Sequence, residues 1–254
     1  MNEKITTEGG RTTLRMERRL AHRPQKVWRA LTDPAQISQW FPTEVRVQGQ
    51  EVHFGFGPSG RLLELTEPRV FAFTWGDDEL RWEIEPDGEG SVLVLTHVFG
   101  DHFGAASFAA GWHTCVRAMA DVLDGRSPAA AGDMAPLHED FVAILGLTSG
   151  TISGGAVRLE RQLPRHADAV WRELGGEQAR QGEQPPAGFV PQGVQAGPVS
   201  RVEAGKLLEF GGVRFELAQG TGQGARLIVT GPAPGTLQGW RSHVAGLCER
   251  LARG

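Results

Sequence analysis

Residues 12–21 alternate apolar and polar positions, which places Leu14, Met16 and Leu20 on one face of a strand. Pro24 then suits the first turn of a short helix through Leu31. Asp33-Pro34 has the form of an N-cap followed by a first-turn proline, opening a second short helix that ends near Trp40. Six strands are expected next. Their apolar sets recur at period two: Leu63/Leu65, Phe71/Phe73/Trp75, Leu80/Trp82/Ile84, and either Val92/Val94 or Leu93/Leu95. Turn residues separate them at Gly49-Gln50, Gly57–Gly60, Gly76–Asp78 and Pro86–Gly90. Connections this short imply an antiparallel meander. Over residues 104–124 the period becomes helical, with Phe108, Trp112, Val116, Met119 and Leu123 on one stripe.

The same pattern then returns. Leu14–Leu31 aligns without a gap to Val157–Leu174, and eight of the 18 positions are identical, among them Val27/Val170 and Trp28/Trp171. Leu80–Pro86 recurs as Val213–Gln219, Gly90–Thr96 as Gly224–Thr230, and Gly111–Leu123 as Gly239–Leu251. The order of blocks is kept while the offset falls from 143 to 128, so the second copy is shorter. A period this long implies two copies of one domain rather than a solenoid. The expected organisation is a first domain over residues 1–130, a linker with a short helix over 131–155, and a shortened second domain over 156–254. Its long helix is expected near 235–252. In the second copy Gly175–Pro198 stands where the first has its second short helix. This segment is rich in Gly, Gln and Pro, so a long loop is expected that seals the core less tightly.

Composition narrows the function classes. The net charge is −4 with both signs interspersed, so a nucleic-acid partner has little electrostatic support. No segment reaches the roughly 18 apolar residues of a membrane span, and the start lacks the apolar core of a signal peptide. Cys115 and Cys248 read as small buried hydrophobes in a reducing cytoplasm, not as a disulfide.

The segments Pro24–Trp40, Gly60–Gly76, Arg81–His97 and Gly111–Gly125, in this order, resemble the START-like helix-grip (SRPBCC) superfamily of lipophile-binding proteins and polyketide cyclases. Within it the first copy is similar to the bacterial branch named after the activator of the heat-shock-protein ATPase. Two-domain members of this kind occur in actinomycete natural-product clusters, including enediyne antibiotic clusters, and the chain resembles those. The resemblance implies an α+β fold of two tandem helix-grip domains. Each is an antiparallel sheet curved around a long C-terminal helix, with a cavity between sheet and helix.

No catalytic constellation stands out. None of the eight histidines sits in an HExxH motif or beside paired cysteines, so no metal is expected, and no Gly-rich loop cradles a phosphate, so no cofactor is expected. His102 with Asp101, near His97 and His113, is weighed as an acid/base pair at a pocket mouth against the plainer reading of surface histidines. Glu64 and Glu83 interrupt apolar strands and are expected to face solvent. Aromatic residues carry more. The expected lining of an apolar cavity is Trp40, Phe54, Phe56, Leu63, Phe71, Phe73, Trp75, Trp82, Phe108, Trp112, Val116 and Met119 in the first copy, and Phe210, Phe215 and Trp240 in the second. The expected function is non-catalytic binding of a hydrophobic small molecule, a linear polyene or polyketide-type metabolite, in natural-product biosynthesis or self-resistance. The alternatives are a cyclase- or aromatase-like enzyme and a protein-interaction module with a protein partner.

Overall fold

Two strands open the chain, β1 (Lys4–Glu8) and β2 (Arg11–Leu20), paired antiparallel through Gly9 and Gly10, both at positive φ. In the computed structural model, residues 3–147, 149–153, 156–192, 194, 196–222, 224–232 and 237–253 are described. Strand β2 buries Leu14, Met16 and Leu20, as its period requires. Two helices follow, α1 (Pro24–Thr32) and α2 (Pro34–Ile37). The Asp33 carboxylate accepts from the Ala35 N–H at 2.9 Å, so the expected N-cap starts α2. Then come β3 (Val45–Gln48), β4 (Glu51–Phe54), β5 (Gly60–Thr66), β6 (Val70–Trp75), β7 (Asp78–Asp87) and β8 (Gly90–Phe99). All pairings are antiparallel, in the order β1-β2-β8-β7-β6-β5-β4-β3. Helix α3 (Ala105–Leu123) closes this half and buries Trp112, Val116, Met119 and Leu123.

The second half repeats the plan with elements removed. It runs α4 (Ala135–Ile144), β9 (Ser149–Ser153), β10 (Ala156–Gln162), α5 (Ala167–Glu173), β11 (Val199–Glu203), β12 (Leu207–Phe210), β13 (Val213–Gln219), β14 (Ala225–Pro232) and α6 (Leu237–Arg253). The sheet order is β9-β10-β14-β13-β12-β11. This is the first order without its last two strands, β3 and β4. The repeated sequence blocks fall on β2/β10 with α1/α5, on β7/β13, on β8/β14 and on α3/α6. The fold is thus α+β with two antiparallel sheets, of eight and six strands.

The structure changes three expectations. Strand β1 adds an edge strand where the sequence reading begins only at residue 12. Helix α4 and strand β9 belong to a compact unit of residues 133–254 with 106–108, while residues 1–105 and 109–132 form the other, so the segment read as a linker is largely part of the second unit. The third change concerns Gly175–Pro198, of which residues 193 and 195 lie outside the described residues. Instead of leaving the second core open, it inserts Phe189, which is fully buried. The Phe189 ring packs edge-on between Trp171 at 5.3 Å and Phe215 at 5.0 Å. Gly176 lies over the Trp171 ring, where a Cβ would come within 2.3 Å of ring carbon, so the chain follows this path only with glycine there. Of the helix expected over 235–252, residues 235 and 236 lie outside the described residues.

Phe189→Ala should destabilise the second unit by about 3–5 kcal/mol, because a buried ring is lost and the cavity cannot collapse. Chemical denaturation of the full chain measures this, and a loss below about 1 kcal/mol would mean that Phe189 does not seal the core. The two free thiols supply a second check. Burial pushes Cys115 up to about 11 and Cys248 up to about 12. Both stay protonated at pH 8, where only thiolate reacts. Native protein should therefore resist a thiol reagent at that pH and react fully once denatured. Rapid labelling of the native chain would contradict the burial of either thiol.

Candidate functional site

A small apolar cavity of about 20 Å³ lies in the first unit, lined by Leu31, Ile37, Trp40, Phe41, Val45, Phe71, Phe73, Trp82 and Trp112. The folding of each element explains its contribution. Period two on β6 and β7 turns Phe71, Phe73 and Trp82 inward, with Phe71 directly opposite Trp82. Helical period on α3 turns Trp112 toward the same space, edge-on to Trp82 with centroids 5.4 Å apart. Leu31 comes from the end of α1 and Ile37 from α2. The turn after α2 then brings Trp40 and Phe41. Trp40 meets Trp82 edge-on at 6.4 Å, while Phe41 lies nearly parallel to Trp112 at 5.8 Å and 8°. Aromatic pairs in these geometries add roughly 0.5–1.5 kcal/mol each beyond the area they bury.

Two of the three indole N–H groups at the cavity are committed elsewhere. The Trp40 indole donates to the Ala30 carbonyl at 2.9 Å. The Trp112 indole donates to His97 Nδ1 at 3.2 Å, and His97 Nε2 meets Asp78 Oδ2 at 3.1 Å. None of the nine lining side chains is titratable. At this site the protein can offer shape, apolar surface and π faces, and no acid or base.

All the expected lining residues but Leu63 divide into four groups. Trp40, Phe71, Phe73, Trp82 and Trp112 meet at the cavity. Phe54, Phe56 and Trp75 form an outer aromatic layer, with Phe54 stacked on Trp75 at 4.4 Å, Phe56 at 5.6 Å, and Phe41 linking Trp75 to the cavity at 5.9 Å. Val116 and Met119 are buried and Phe108 is half-buried, and none of the three lines the cavity. Phe210, Phe215 and Trp240 are packed in the core of the second unit. Two residues face water instead: Phe56 is 55% exposed and Leu63 43%. Leu63 sits where the β5–β6 register shifts between Leu62 and Glu64, and the extra residue of the bulge breaks the period on which its inward placement rests. Phe41, Ile37, Leu31 and Val45 were not singled out from the sequence. Phe41 follows Trp40 in a turn without periodicity, so only its adjacency to that tryptophan pointed to it.

The histidines weighed as an acid/base site have partners of their own. His102 Nδ1 lies 3.3 Å from the Thr7 hydroxyl and 3.2 Å from that of Thr12. His113 Nδ1 accepts from Arg18 at 3.0 Å, and burial, reinforced by Arg18, holds its imidazole below the ordinary range. His97 belongs to the Trp112 hydrogen bond. Glu64 and Glu83 sit on the outer face, ion-paired to Arg81 at 2.7 and 3.2 Å, and the Arg81 hydrogen bond draws the Glu64 carboxyl below its usual range. Among the described residues, no group of three or more His, Cys, Asp or Glu side chains is placed to hold a metal, and no helix is long and apolar enough to cross a membrane. In the second unit the large hollows are open grooves of mixed polarity along α5 and the β11–β12 turn, where Asp168, Ala204 and Gly205 line both.

Comparison with known proteins finds similarities in the first unit. Residues 21–124 match the family described as Activator of Hsp90 ATPase homolog 1-like protein. Among curated proteins none matches. Among solved structures the chain is similar to a conserved protein of unknown function from Enterococcus faecalis, with 19% identity over 56% of this chain and 89% of that one and a TM-score of 0.49. It is similar to CalU16 from Micromonospora echinospora, with 19% identity over 57% and 94% of the two chains and a TM-score of 0.48. A protein from Bordetella parapertussis aligns at 26% identity over 51% and 84%, with a TM-score of 0.44. The family match spans α1 through α3, and so includes every element that lines the aromatic cavity.

Proposed function

We propose that the first unit binds an uncharged, flat or conjugated apolar molecule in the aromatic cavity and does no chemistry on it. The observation that carries this reading is the lining: six aromatic side chains and no titratable group around one void. Cyclisation of a polyketide would need an acid or base on that wall. The finer reading has three parts: two helix-grip domains, a linear polyene or polyketide-type ligand, and a cytoplasmic role in natural-product biosynthesis or self-resistance. It rests on the family resemblance, with the two free thiols favouring a reducing compartment.

A void of about 20 Å³ has room for one water-sized group, so a ligand ring enters only if a side chain leaves. Phe41 is the side chain that can leave. It is half-buried, it follows the four-residue α2, and it already holds a ring flat against Trp112. On this reading the ligand takes the place of the Phe41 ring. A second reading, docking of an apolar segment of another protein, is favoured by Phe56, Leu63 and Leu65, apolar side chains left exposed on and beside β5.

N-phenyl-1-naphthylamine is an uncharged conjugated probe that accepts energy from tryptophan. Titrated into the full chain, it should quench tryptophan emission with saturation. Trp112→Ala, checked for folding by circular dichroism, should weaken binding about tenfold through loss of the stacking face. Affinity unchanged by that substitution would return Trp112 to plain core. Phe41→Ala should strengthen binding, since a void of about 150 Å³ accepts a benzene ring without rearrangement. Weaker binding would show that Phe41 is a contact and not a stopper. Leu63→Ser should leave probe affinity within about twofold, and a larger loss would favour the exposed face.

A further inference from the structure

We infer that Asp78 and His97 form a positioning device that fixes the face Trp112 presents to the cavity; only its effect on affinity rests on the binding reading above. Asp78 opens β7, and the register sets Leu80 opposite His97 on β8. Residues two apart on a strand share a face, so Asp78, Leu80 and His97 lie on the inward side of the sheet. His97 is 2% exposed, a polar ring in an otherwise apolar row.

The proton positions follow from donor and acceptor chemistry. An indole N–H can only donate. With Trp112 Nε1 at 3.2 Å from His97 Nδ1, that nitrogen must carry a lone pair, and the imidazole proton sits on Nε2. Nε2 in turn lies 3.1 Å from Asp78 Oδ2, and an ionised carboxylate can only accept. Asp78 therefore selects the tautomer, the tautomer supplies the acceptor, and the acceptor fixes the indole. The imidazole and indole meet edge-on, at 6.0 Å and 89°. Without the carboxylate, the Nε2 proton loses its acceptor. The other tautomer would set an Nδ1–H donor against the indole N–H donor. Trp112 would then have to turn, and the face on which Phe41 lies would tilt with it.

Nitrogen-15 NMR of the ligand-free full chain tests the device directly. In wild type His97 should be in the Nε2–H form, with the Trp112 indole signal, assigned by its loss in Trp112→Phe, slow to exchange. Asp78→Ala should move His97 toward the Nδ1–H form, shift the indole signal and speed its exchange. Asp78→Asn keeps a carbonyl acceptor and should retain the wild-type pattern. Affinity for N-phenyl-1-naphthylamine should fall about fivefold in Asp78→Ala and by less than about twofold in Asp78→Asn. An unchanged His97 tautomer and indole signal in Asp78→Ala would overturn the inference. If the NMR changes appear and the probe binds no form of the protein, the device stands and the binding reading falls.

Discussion

A tryptophan in a protein interior has to bury a large ring and still satisfy one N–H, and the first unit is arranged around that requirement at Trp112. Its N–H is met by His97, a buried histidine whose other nitrogen reaches the partly exposed Asp78. With the edge satisfied, the two faces and the rim of the indole are free for apolar contact, which Phe41 and Trp82 supply. The cavity is what remains between these rings and the inward face of the sheet. The N–H groups that Trp40 and Trp112 bring have partners outside it. The proposed binding by shape and π surface rests on the same arrangement.

The two units show what that arrangement needs. Both have the short helix after their second strand, the row of antiparallel strands and the long closing helix. The first adds α2, the turn bearing Trp40 and Phe41, and the β3–β4 hairpin bearing Val45 and Phe54. Among the described residues the second shows no counterpart of these, and its Gly176–Phe189 segment places Phe189 in the core. One unit keeps a void between rings, bordered by the half-buried Phe41 ring. The other fills its core with a ring held between Trp171 and Phe215.

Much of the fold was legible because it depends on period and punctuation. Alternation along β2, β6, β7 and β8, the Asp33-Pro34 helix start and the glycine turns are local signals, and the local preferences and the tertiary structure agree there. The misses have physical causes. The Leu63 bulge adds one residue and reverses the alternation, which no composition announces. Phe41 and Phe189 lie in stretches without period; Phe41 had only its neighbour Trp40 to point to it, and around Phe189 polar residues, proline and glycine outweigh one ring. Strand β1 is an exposed edge whose residues carry little apolar signal. His97 was visible only as a histidine. Its role follows once the β8 row is known to be Leu93, Leu95 and Phe99, because the same parity turns it inward toward Trp112.

On the proposed reading the aromatic cavity, and not the exposed apolar surface, receives the ligand. Intermolecular nuclear Overhauser contacts from bound N-phenyl-1-naphthylamine to the full chain measure this most directly. The account predicts contacts from the probe rings to Trp112 and Trp82, with the Phe41 ring protons shifted as that ring leaves its place. Contacts confined to Phe56, Leu63 and Leu65, with the Trp112 and Phe41 signals unmoved, would contradict it.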